Sequence, residues 1–527
     1  MQKNTSSTIS DKTHKNSPFG GWGASFTLGG WGVSLLFCVA AVLFFGLAYP
    51  HHLHYQEQYQ LFLFDSNYVW DIVKLPGGVA DLLGRFCTQF FLFAWVGAVI
   101  IGVLLTIVQL LTSKLADWGK LYGLSYIPAC LLWMFLLDEN ALLGSVWAVL
   151  ITLLFSWLFC KLAEGKLRII LLFVVVPVLY WISGPVSVLF LFLQSPTSSD
   201  SPARGGKLSL WYFVGALLLF AFMLIILAHY IPVPASKLWF GIHYHRYPTE
   251  VPTMLWAATL SIFLQALAAR LCQRWTKASS GWVVPLCSFA FVAVCMGSAI
   301  WKNTNIKAEK TMKYDFMACH QQWNRILETV EKEHPNNQIG VTVQNLALAM
   351  HGMLAENLFT YNQNGMAGLL PDVQRDATSP LPTAEAFYQL GMVNVAQRTV
   401  FEAQEAILDF QKSARCYKRL AQTNLINGDY KVARKYLVAL QKTLFYSDWA
   451  DETLQLLGNE EAINNHPEYG RLRKYNYKVD FYFGDQMSPD MLKGLFEHNK
   501  DNRVAYEYMV ASYALTGQRP PIISQEK

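Results

Sequence analysis

Three acidic residues have the type and the setting for acid–base chemistry: Glu57, Asp65 and Asp71. They lie among aromatic residues within positions 50–87, a polar stretch that follows a long apolar run. A carboxylate at a membrane surface could deprotonate an acceptor hydroxyl group that attacks a lipid-carried substrate. If the chain is an enzyme, these three carboxylates are therefore the candidates for its general base.

Other catalytic and metal-binding patterns are missing. GxSxG, HExxH, GxGxxG, Walker and HRD motifs do not occur, and the nine cysteines form no CxxC pair. Imidazole groups could bind a transition metal if the two histidine groups met, but no carboxylate stands at a fixed spacing beside them. These groups are His51, His52, His54, His243 and His245. We predict no cofactor and no metal site.

The composition divides the chain into a membrane half and a soluble half. Hydrophobic residues make up 53% and charged residues only 15%, against about 25% charged in soluble proteins. Asp, Glu, Lys and Arg number 24 in residues 31–301 but 51 in residues 302–527. This excludes a cytosolic enzyme and a disordered protein, and a net charge of +5 indicates no nucleic-acid partner. We predict a polar tail (1–28), a transmembrane domain (29–301) and a soluble helical domain (302–527).

Eight apolar stretches have about the length that a spanning helix needs. They are residues 31–49, 88–111, 121–137, 141–160, 168–193, 209–231, 252–270 and 282–301. The first is too long for the apolar core of a signal peptide. Pro177 and the Gly184–Pro185 pair could instead turn residues 168–193 into a hairpin that enters and leaves on one side. The sequence thus predicts a lipid-embedded bundle of seven or eight spans.

Loop charge bears on the orientation of this bundle. Seven spans restore an excess of Lys and Arg on the cytoplasmic side and put the soluble half outside, whereas eight spans remove the bias. Lys302, Lys307, Lys310 and Lys313, just after the last stretch, favour the opposite orientation. We predict a multi-pass protein of the bacterial inner membrane whose soluble half is periplasmic.

The first loop, residues 50–87, is long and rich in aromatic residues. We expect amphipathic helices lying in the membrane interface, with aromatic side chains towards lipid and acids towards water.

The soluble half has the pattern of tetratricopeptide-like (TPR-like) repeats. In residues 420–440, Leu420 and Ala421 fit a first helix, Gly428–Asp429–Tyr430 a turn, and Ala433, Leu437 and Leu440 a second helix. Partial matches recur in residues 390–407, 314–335 and 505–517, and residues 364–384 read as a loop. The predicted fold class is all-α: a polytopic bundle followed by a TPR-like helical-repeat solenoid, with an irregular helical domain as the alternative.

A basic face accompanies the best repeat match. Its residues are Lys412, Arg415, Arg419, Lys431, Arg434 and Lys435. Such charges form a solvated repeat surface or a docking face for an acidic partner. We predict these residues as the partner-binding set.

Several short segments carry a resemblance to a known family. They are Glu57–Phe64, Pro76–Gly78, Gln89–Phe91, Asn345–Leu348, Ile426–Leu437 and Lys442–Tyr446. Through them the whole chain resembles an uncharacterised family of Bacteroidota envelope proteins, with a polytopic membrane domain before a helical soluble domain. That resemblance implies architecture and no activity.

A looser likeness is to membrane glycosyltransferases that use lipid-phosphate sugars. These have a long first outer loop with a catalytic acid soon after the first span, and some append tetratricopeptide repeats. The likeness implies Glu57, eight residues past Tyr49, as the acid and a polyprenyl-phosphate lipid as the sugar donor. The chain departs from them in its fewer predicted spans and in lacking a second diagnostic acidic motif.

Two functions follow as expectations. The first is a scaffold or assembly role, in which the repeat domain docks a protein or peptide partner in the cell envelope. The second is a membrane glycosyltransferase that uses a polyprenyl-phosphate sugar, with the acids of the first loop as base.

Overall fold

The computed structural model describes most of the chain. The described residues are 28–116, 118–162, 165–194, 210–247, 249–271, 283–371, 379–408, 411–477 and 488–519. Every extended regular element among them is helical, and β-pairing is limited to isolated bridges such as that between Ala141 and His245. The predicted all-α class is therefore confirmed at this level.

The amino-terminal half consists of helices of very different lengths. They are α1 (Leu28–Leu43, continued by a π-helical turn Phe44–Ala48), α2 (Pro50–Glu57), α3 (Ser66–Val73), α4 (Gly78–Thr88), α5 (Ala94–Ala116), α6 (Tyr126–Phe135), α7 (Gly144–Cys160), α8 (Lys166–Ser183), α9 (Val188–Leu193), α10 (Leu210–Tyr230), α11 (Ala235–Phe240), α12 (Thr253–Leu271) and α13 (Val283–Asn303). One continuous apolar core runs through this bundle.

The carboxy-terminal half consists of short amphipathic helices. They are α14 (Ile306–Cys319), α15 (Trp323–Glu333), α16 (Gln338–Met350), α17 (Leu354–Asn357), α18 (Pro380–Leu390), α19 (Val393–Glu405), α20 (Ala414–Asn427), α21 (Tyr430–Leu440), α22 (Ser447–Leu454), α23 (Glu460–Asn465), α24 (Tyr469–Tyr475), α25 (Pro489–His498) and α26 (Arg503–Thr516).

The number of candidate spans is smaller than predicted. Within the described residues, α5, α10, α13 and the stretch Lys166–Leu193 are long and apolar enough to cross a membrane, and α1 with α2, bent by 79°, would add a fifth. Several apolar helices could therefore span a membrane, but seven or eight spans are not found in the part of the chain that the structure describes. Three predicted spans form shorter helices: Leu121–Phe135, Gly144–Cys160 and Thr253–Ala269. An apolar run in sequence includes its flanking turns, so the helix that it forms can be shorter than the run.

The chain reverses at Gly184–Pro185. Arg168 at the start of α8 and Phe190 in α9 both contact Phe159, with their charged centre and ring centre 5.3 and 5.2 Å from its ring. In a straight helix, 22 residues would separate the two by about 33 Å. The chain therefore turns back within residues 168–193, and that the two arms enter and leave the membrane on one side stays a prediction. Pro177, however, lies within α8, and the break falls at Gly184, whose φ is +73°.

The best repeat match forms the expected pair of helices. α20 and α21 pack together around a turn at Gly428, whose φ of +87° suits glycine. Ala433, Leu437 and Leu440 are fully buried on the second helix, as predicted. α18 and α19 form a second such pair. The predicted loop over 364–384 ends earlier, because Pro380 occupies a first-turn position of α18.

The first loop forms short helices, and their predicted position in the membrane interface stays a prediction. It folds into α2, α3 and α4, and residues 58–65 between α2 and α3, which we call the connecting segment, contact the carboxy-terminal half. Asp71 faces water as expected. Glu57 and Asp81 are only 6% and 1% exposed, so the prediction that the acids face water is wrong for them. Tertiary partners decide this, since they satisfy the buried polar groups.

A close approach of α4 to α7 requires glycine. A Cβ atom at Gly84 would lie 2.3 Å from the backbone nitrogen of Gly144. Gly84→Ala should therefore destabilise the bundle by about 1–3 kcal/mol, the usual cost of overpacking, or more. Thermal unfolding of the purified protein in detergent measures this. The control is Gly32→Ala, where no heavy atom lies within 4 Å of the new Cβ. An equal melting temperature for both variants would contradict the packing.

Candidate functional site

The amino-terminal end of α2 is capped by a residue from the other half of the chain. Both carboxylate oxygens of Glu309, on α14, accept hydrogen bonds from the backbone amides of His51 and His52, at 2.8 and 3.0 Å. The first amides of a helix lack partners within the helix, and its dipole favours negative charge there. Burial raises the pKa of Glu309 to about 7 despite these two bonds. Glu309 thus joins the two halves.

The connecting segment binds along the carboxy-terminal half through its backbone. Leu61 donates its amide to the carbonyl of Lys412 at 2.9 Å, and Phe64 donates to that of Lys442 at 2.7 Å. The side chain of Lys442 also pairs with Asp65. Leu61 is buried in an apolar cluster with residues of α20 and α21, including Leu437. Extended backbone and an anchoring side chain are the features of a bound peptide.

Aromatic rings form a further part of the contact between the two halves, which we call the junction. The ring of Phe445, just after α21, lies 5.5 Å from that of Phe90 and 5.3 Å from that of Phe93, both in edge-to-face geometry. Edge-to-face pairs add stability beyond their buried area. The amino-terminal half therefore contacts the carboxy-terminal half both before α3 and after α4.

Glu57, the predicted base, lies inside this junction. Its carboxylate accepts a hydrogen bond of 3.1 Å from the hydroxyl of Tyr446. Burial raises the pKa of Glu57 to about 7, although the Tyr446 hydroxyl lowers it. A pKa near 7 suits a general base. An acceptor could reach the carboxylate only if Tyr446 moved, so the catalytic role of Glu57 stays a prediction.

Asp65 and Asp71 have structural partners on the surface. Asp65 caps α3 by accepting a bond from the amide of Asn67, and the Lys442 ammonium holds its pKa below the usual range. Asp71 pairs with Lys74 one turn along α3 at 2.5 Å, and half or more of both side chains is exposed. Asp65 therefore contributes to the contact between the two halves, Asp71 lies on the surface, and the catalytic role of both stays a prediction.

Two of the predicted partner-binding arginines bind acids of their own half. Arg415 makes a two-pronged ion pair with Asp315 on α14, at 2.6 and 2.9 Å. Arg419 binds Glu385 on α18 at 2.5 Å and stacks 3.6 Å over the ring of Tyr388. These guanidinium groups are 12% exposed and link α20 to its neighbours. They are not free for an external partner in this arrangement.

The other basic residues face outwards. Lys412 is exposed, and its backbone carbonyl binds the connecting segment. Lys431, Arg434 and Lys435 are exposed on α21. These three residues are the exposed members of the predicted docking face on α21.

The two histidine groups are not brought together. His54 stacks on Phe316 of α14 at 4.3 Å, and His51 and His320 contact the same ring. His245 instead binds Asp138 at 3.0 Å, and although burial alone would lower its pKa, this carboxylate raises it. In the described part of the chain, no three His, Cys, Asp or Glu residues form a group that could hold a metal ion.

The loop between α11 and α12 organises this end of the bundle. The Tyr244 hydroxyl donates to the carbonyl of Ser183 at 2.5 Å and accepts from the amide of Val186 at 3.2 Å. Gly184 and Gly241 leave room for this tyrosine, since a Cβ at either would lie 2.8 or 2.0 Å from it. The loop thereby holds the α8–α9 reversal in place.

A pair of buried charges beside this loop was not predicted from the sequence. Asp81 and Arg85 on α4 pair at 2.8 Å with side chains only 1% and 8% exposed, and His243 Nδ1 lies 3.6 Å from the same carboxylate oxygen. The four-residue spacing of Asp81 and Arg85 was a visible signal. Tyr446 and Glu309 carried none, because their partners are distant in sequence.

The match to a family model covers both halves and the junction. It runs over residues 25–524, and the family is described as a family of unknown function, DUF6057. The chain belongs to DUF6057. Neither a curated protein nor a solved structure matches it. The expected membership of a family without known function is therefore confirmed, and the DUF6057 match treats both halves as one unit.

The raised pKa of Glu57 predicts a pH-dependent stability. A carboxyl group with a folded pKa of about 7, against 4.5 unfolded, contributes most below pH 4.5 and loses this contribution as the pH rises through 7. Glu57→Gln can still accept from Tyr446 and carries no buried charge. Its free energy of unfolding at pH 8 should exceed that of the wild type by up to about 3 kcal/mol, so that its melting temperature is higher, and the gain at pH 5 should be much smaller.

The exposed acid Asp71 supplies the control, since Asp71→Asn should change the melting temperature little at either pH. A gain for Glu57→Gln that is the same at pH 5 and pH 8 would contradict the buried, protonatable carboxyl group.

Proposed function

We propose that this protein is a multi-pass protein of the bacterial inner membrane that docks a protein or peptide partner in the Bacteroidota cell envelope. Its TPR-like half supplies the docking surface, and its membrane half anchors that surface to the lipid bilayer. The role is one of scaffolding or assembly.

A basic and apolar stripe on α21 carries this proposal. Lys431, Arg434, Lys435 and Val438 follow the i, i+3, i+4, i+7 spacing of one helix face. All four are exposed, and Val438 is 38% exposed despite being hydrophobic. Opposite charge steers a partner to such a surface, and an apolar residue gives it a contact to bury. The stripe therefore suits an acidic amphipathic segment.

The support behind the stripe is rigid. α21 packs on α20, which Arg415 ties to α14, and Glu309 on α14 caps the first-loop helix α2. A surface held in this way loses little conformational entropy when a partner binds.

The periplasmic side of the soluble half has support from a parity argument. The first loop follows α1, and it contacts the carboxy-terminal half directly through Glu309 and the connecting segment. Two segments in contact lie on one side of a bilayer. With a cytoplasmic amino terminus and a single crossing before the loop, that side is the periplasm.

The second proposal is the membrane glycosyltransferase that uses a polyprenyl-phosphate sugar. The observation that favours it is the pKa of about 7 at Glu57, a value suited to a general base. Under this proposal Glu57→Gln abolishes sugar transfer while it raises stability at pH 8, a combination that a purely structural carboxyl group would not produce.

Charge reversal on the stripe tests the docking function. A photo-crosslinking amino acid in place of Val438 should trap one defined partner in cells, and the same group in place of Lys500 should not. The triple variant Lys431→Glu, Arg434→Glu, Lys435→Glu should reduce this adduct by about tenfold or more, as expected for losing a charge-complementary contact worth over about 1.4 kcal/mol.

The matched control reverses three exposed charges elsewhere on the same half: Lys332→Glu, Lys500→Glu and Arg503→Glu. An adduct that survives the stripe variant, or that falls equally in the control, would refute α21 as the docking face.

Cysteine labelling tests the side of the membrane. Single cysteines at Lys435, Glu250 and Gly165, in a background without native cysteines, are exposed to a membrane-impermeant maleimide in cells with a permeabilised outer membrane. Positions 435 and 250 should react and position 165, at the start of α8, should react only after lysis. Labelling of positions 435 and 250 in opposite patterns would contradict the parity argument.

A further inference from the structure

A row of phenylalanine rings crosses the junction. Its members, in order of contact, are Phe64, Phe62, Phe86, Phe90, Phe445 and Phe93, and the centres of successive rings lie 5.1 to 5.6 Å apart. Phe445 comes from the carboxy-terminal half, and the others come from the amino-terminal half. Phe64, Phe86 and Phe93 keep exposed surface. Single exposed hydrophobic residues are ordinary, whereas a connected set of them marks an interaction surface.

The turn that carries Phe445 adds a further apolar residue to this surface. It comprises residues 441–446, which we call the α21–α22 turn, and its Leu444 is 46% exposed. The backbone of the turn is held in place, because the carbonyl of Lys442 accepts from the amide of Phe64 at 2.7 Å. Lys442 is also the only charged residue in the sequence of the turn, and its side chain pairs with Asp65. The turn therefore presents Leu444 from a fixed backbone whose one charge is neutralised.

The outer face of α5 continues the row of rings. Phe93 directly precedes Ala94, the first residue of α5. Exposed residues then follow along the helix at intervals of four: Trp95, Val99, Val103 and Ile107. α5 is among the helices long and apolar enough to cross a membrane, and its 23 residues extend about 35 Å, slightly more than the hydrocarbon core. In a bilayer this exposed apolar face meets lipid, and Phe93 lies where the face reaches the edge of the hydrocarbon.

We propose that the α21–α22 turn of the carboxy-terminal half contacts the lipid bilayer, with Leu444 and the exposed rings of the row at the boundary between hydrocarbon and headgroups. This inference rests on the proposed insertion of α5 in the membrane. The ring of Phe445 lies 5.3 Å from that of Phe93, so the turn is about one side chain away from the level at which α5 enters the bilayer. Aromatic and aliphatic side chains are stabilised at this level because they leave water there.

A lipid contact at this turn places the docking stripe close to the membrane. α21 ends at Leu440, directly before the turn, and Lys431, the first residue of the stripe, lies about 15 Å further along the helix. A partner bound to the stripe is then held next to the bilayer surface. The carboxy-terminal half has two attachments in this arrangement, one through the protein contacts of the junction and one through lipid.

Photo-crosslinking to lipid tests the contact. The purified full-length protein, with a diazirine amino acid in place of Leu444, is reconstituted into nanodiscs of phosphatidylcholine and phosphatidylglycerol and irradiated. Lipid adducts are then quantified by mass spectrometry. The yield of lipid adduct should be about tenfold or more above that of the same group in place of Lys500, because an apolar side chain of this size prefers lipid to water by at least about that factor.

Two control positions make the result decisive. Lys500 is exposed near Asn502, which binds the carbonyl of Leu390 at one end of the α18–α19 pair, whereas Ile407 at the other end of that pair packs on Tyr59 of the first loop.

The same group in place of Val99, on the outer face of α5, should give a lipid adduct if α5 is inserted. A lipid adduct at position 99 without one at position 444 would overturn the lipid contact and leave the membrane anchor standing. The absence of lipid adducts at both positions would overturn the membrane anchor together with this inference. An adduct at position 444 that joins two copies of the chain in place of lipid would overturn the inference as well, since protein would then cover the turn.

Discussion

The structure depends on satisfying the free backbone amides at the start of α2. Helix α2 follows the first apolar helix after a sharp bend, and its first amides have no partners of their own. The carboxylate of Glu309 meets two of them from just beyond the last apolar helix. Buried amides must be paired, so Glu309 holds the start of the carboxy-terminal half against this end of the bundle.

The connecting segment extends that attachment along the surface of α20 and α21. Because it binds through backbone amides as well as through Leu61, it occupies part of the carboxy-terminal half as a peptide ligand would. The outer face of α21 stays exposed, and it is the face that we propose for docking. A DUF6057 match across both halves agrees with a protein whose halves are joined in this way.

The buried arginines of the two halves are stabilised in different ways. Arg415 and Arg419 are neutralised by acids of neighbouring helices, and removing one partner of such a pair would leave a buried charge. Arg246 of the amino-terminal half is instead stacked on the ring of Tyr59, and this cation–π contact offsets part of the cost of burying its charge.

The sequence by itself determined the properties that depend on local pattern. Charge density separated the two halves, helical periodicity indicated the all-α class, and Gly428 marked the turn between α20 and α21. Only the tertiary structure decided which polar groups are buried and with what partners. The sequence around Glu57 predicted an acid that faces water. In the structure, however, the Tyr446 hydroxyl donates a hydrogen bond to its carboxylate inside the junction. Arg415 read as part of an open basic face, yet Asp315 neutralises it from 100 positions away. Burial depends on contacts between segments that no local pattern records, and it is burial that sets which of these charges remain free to act.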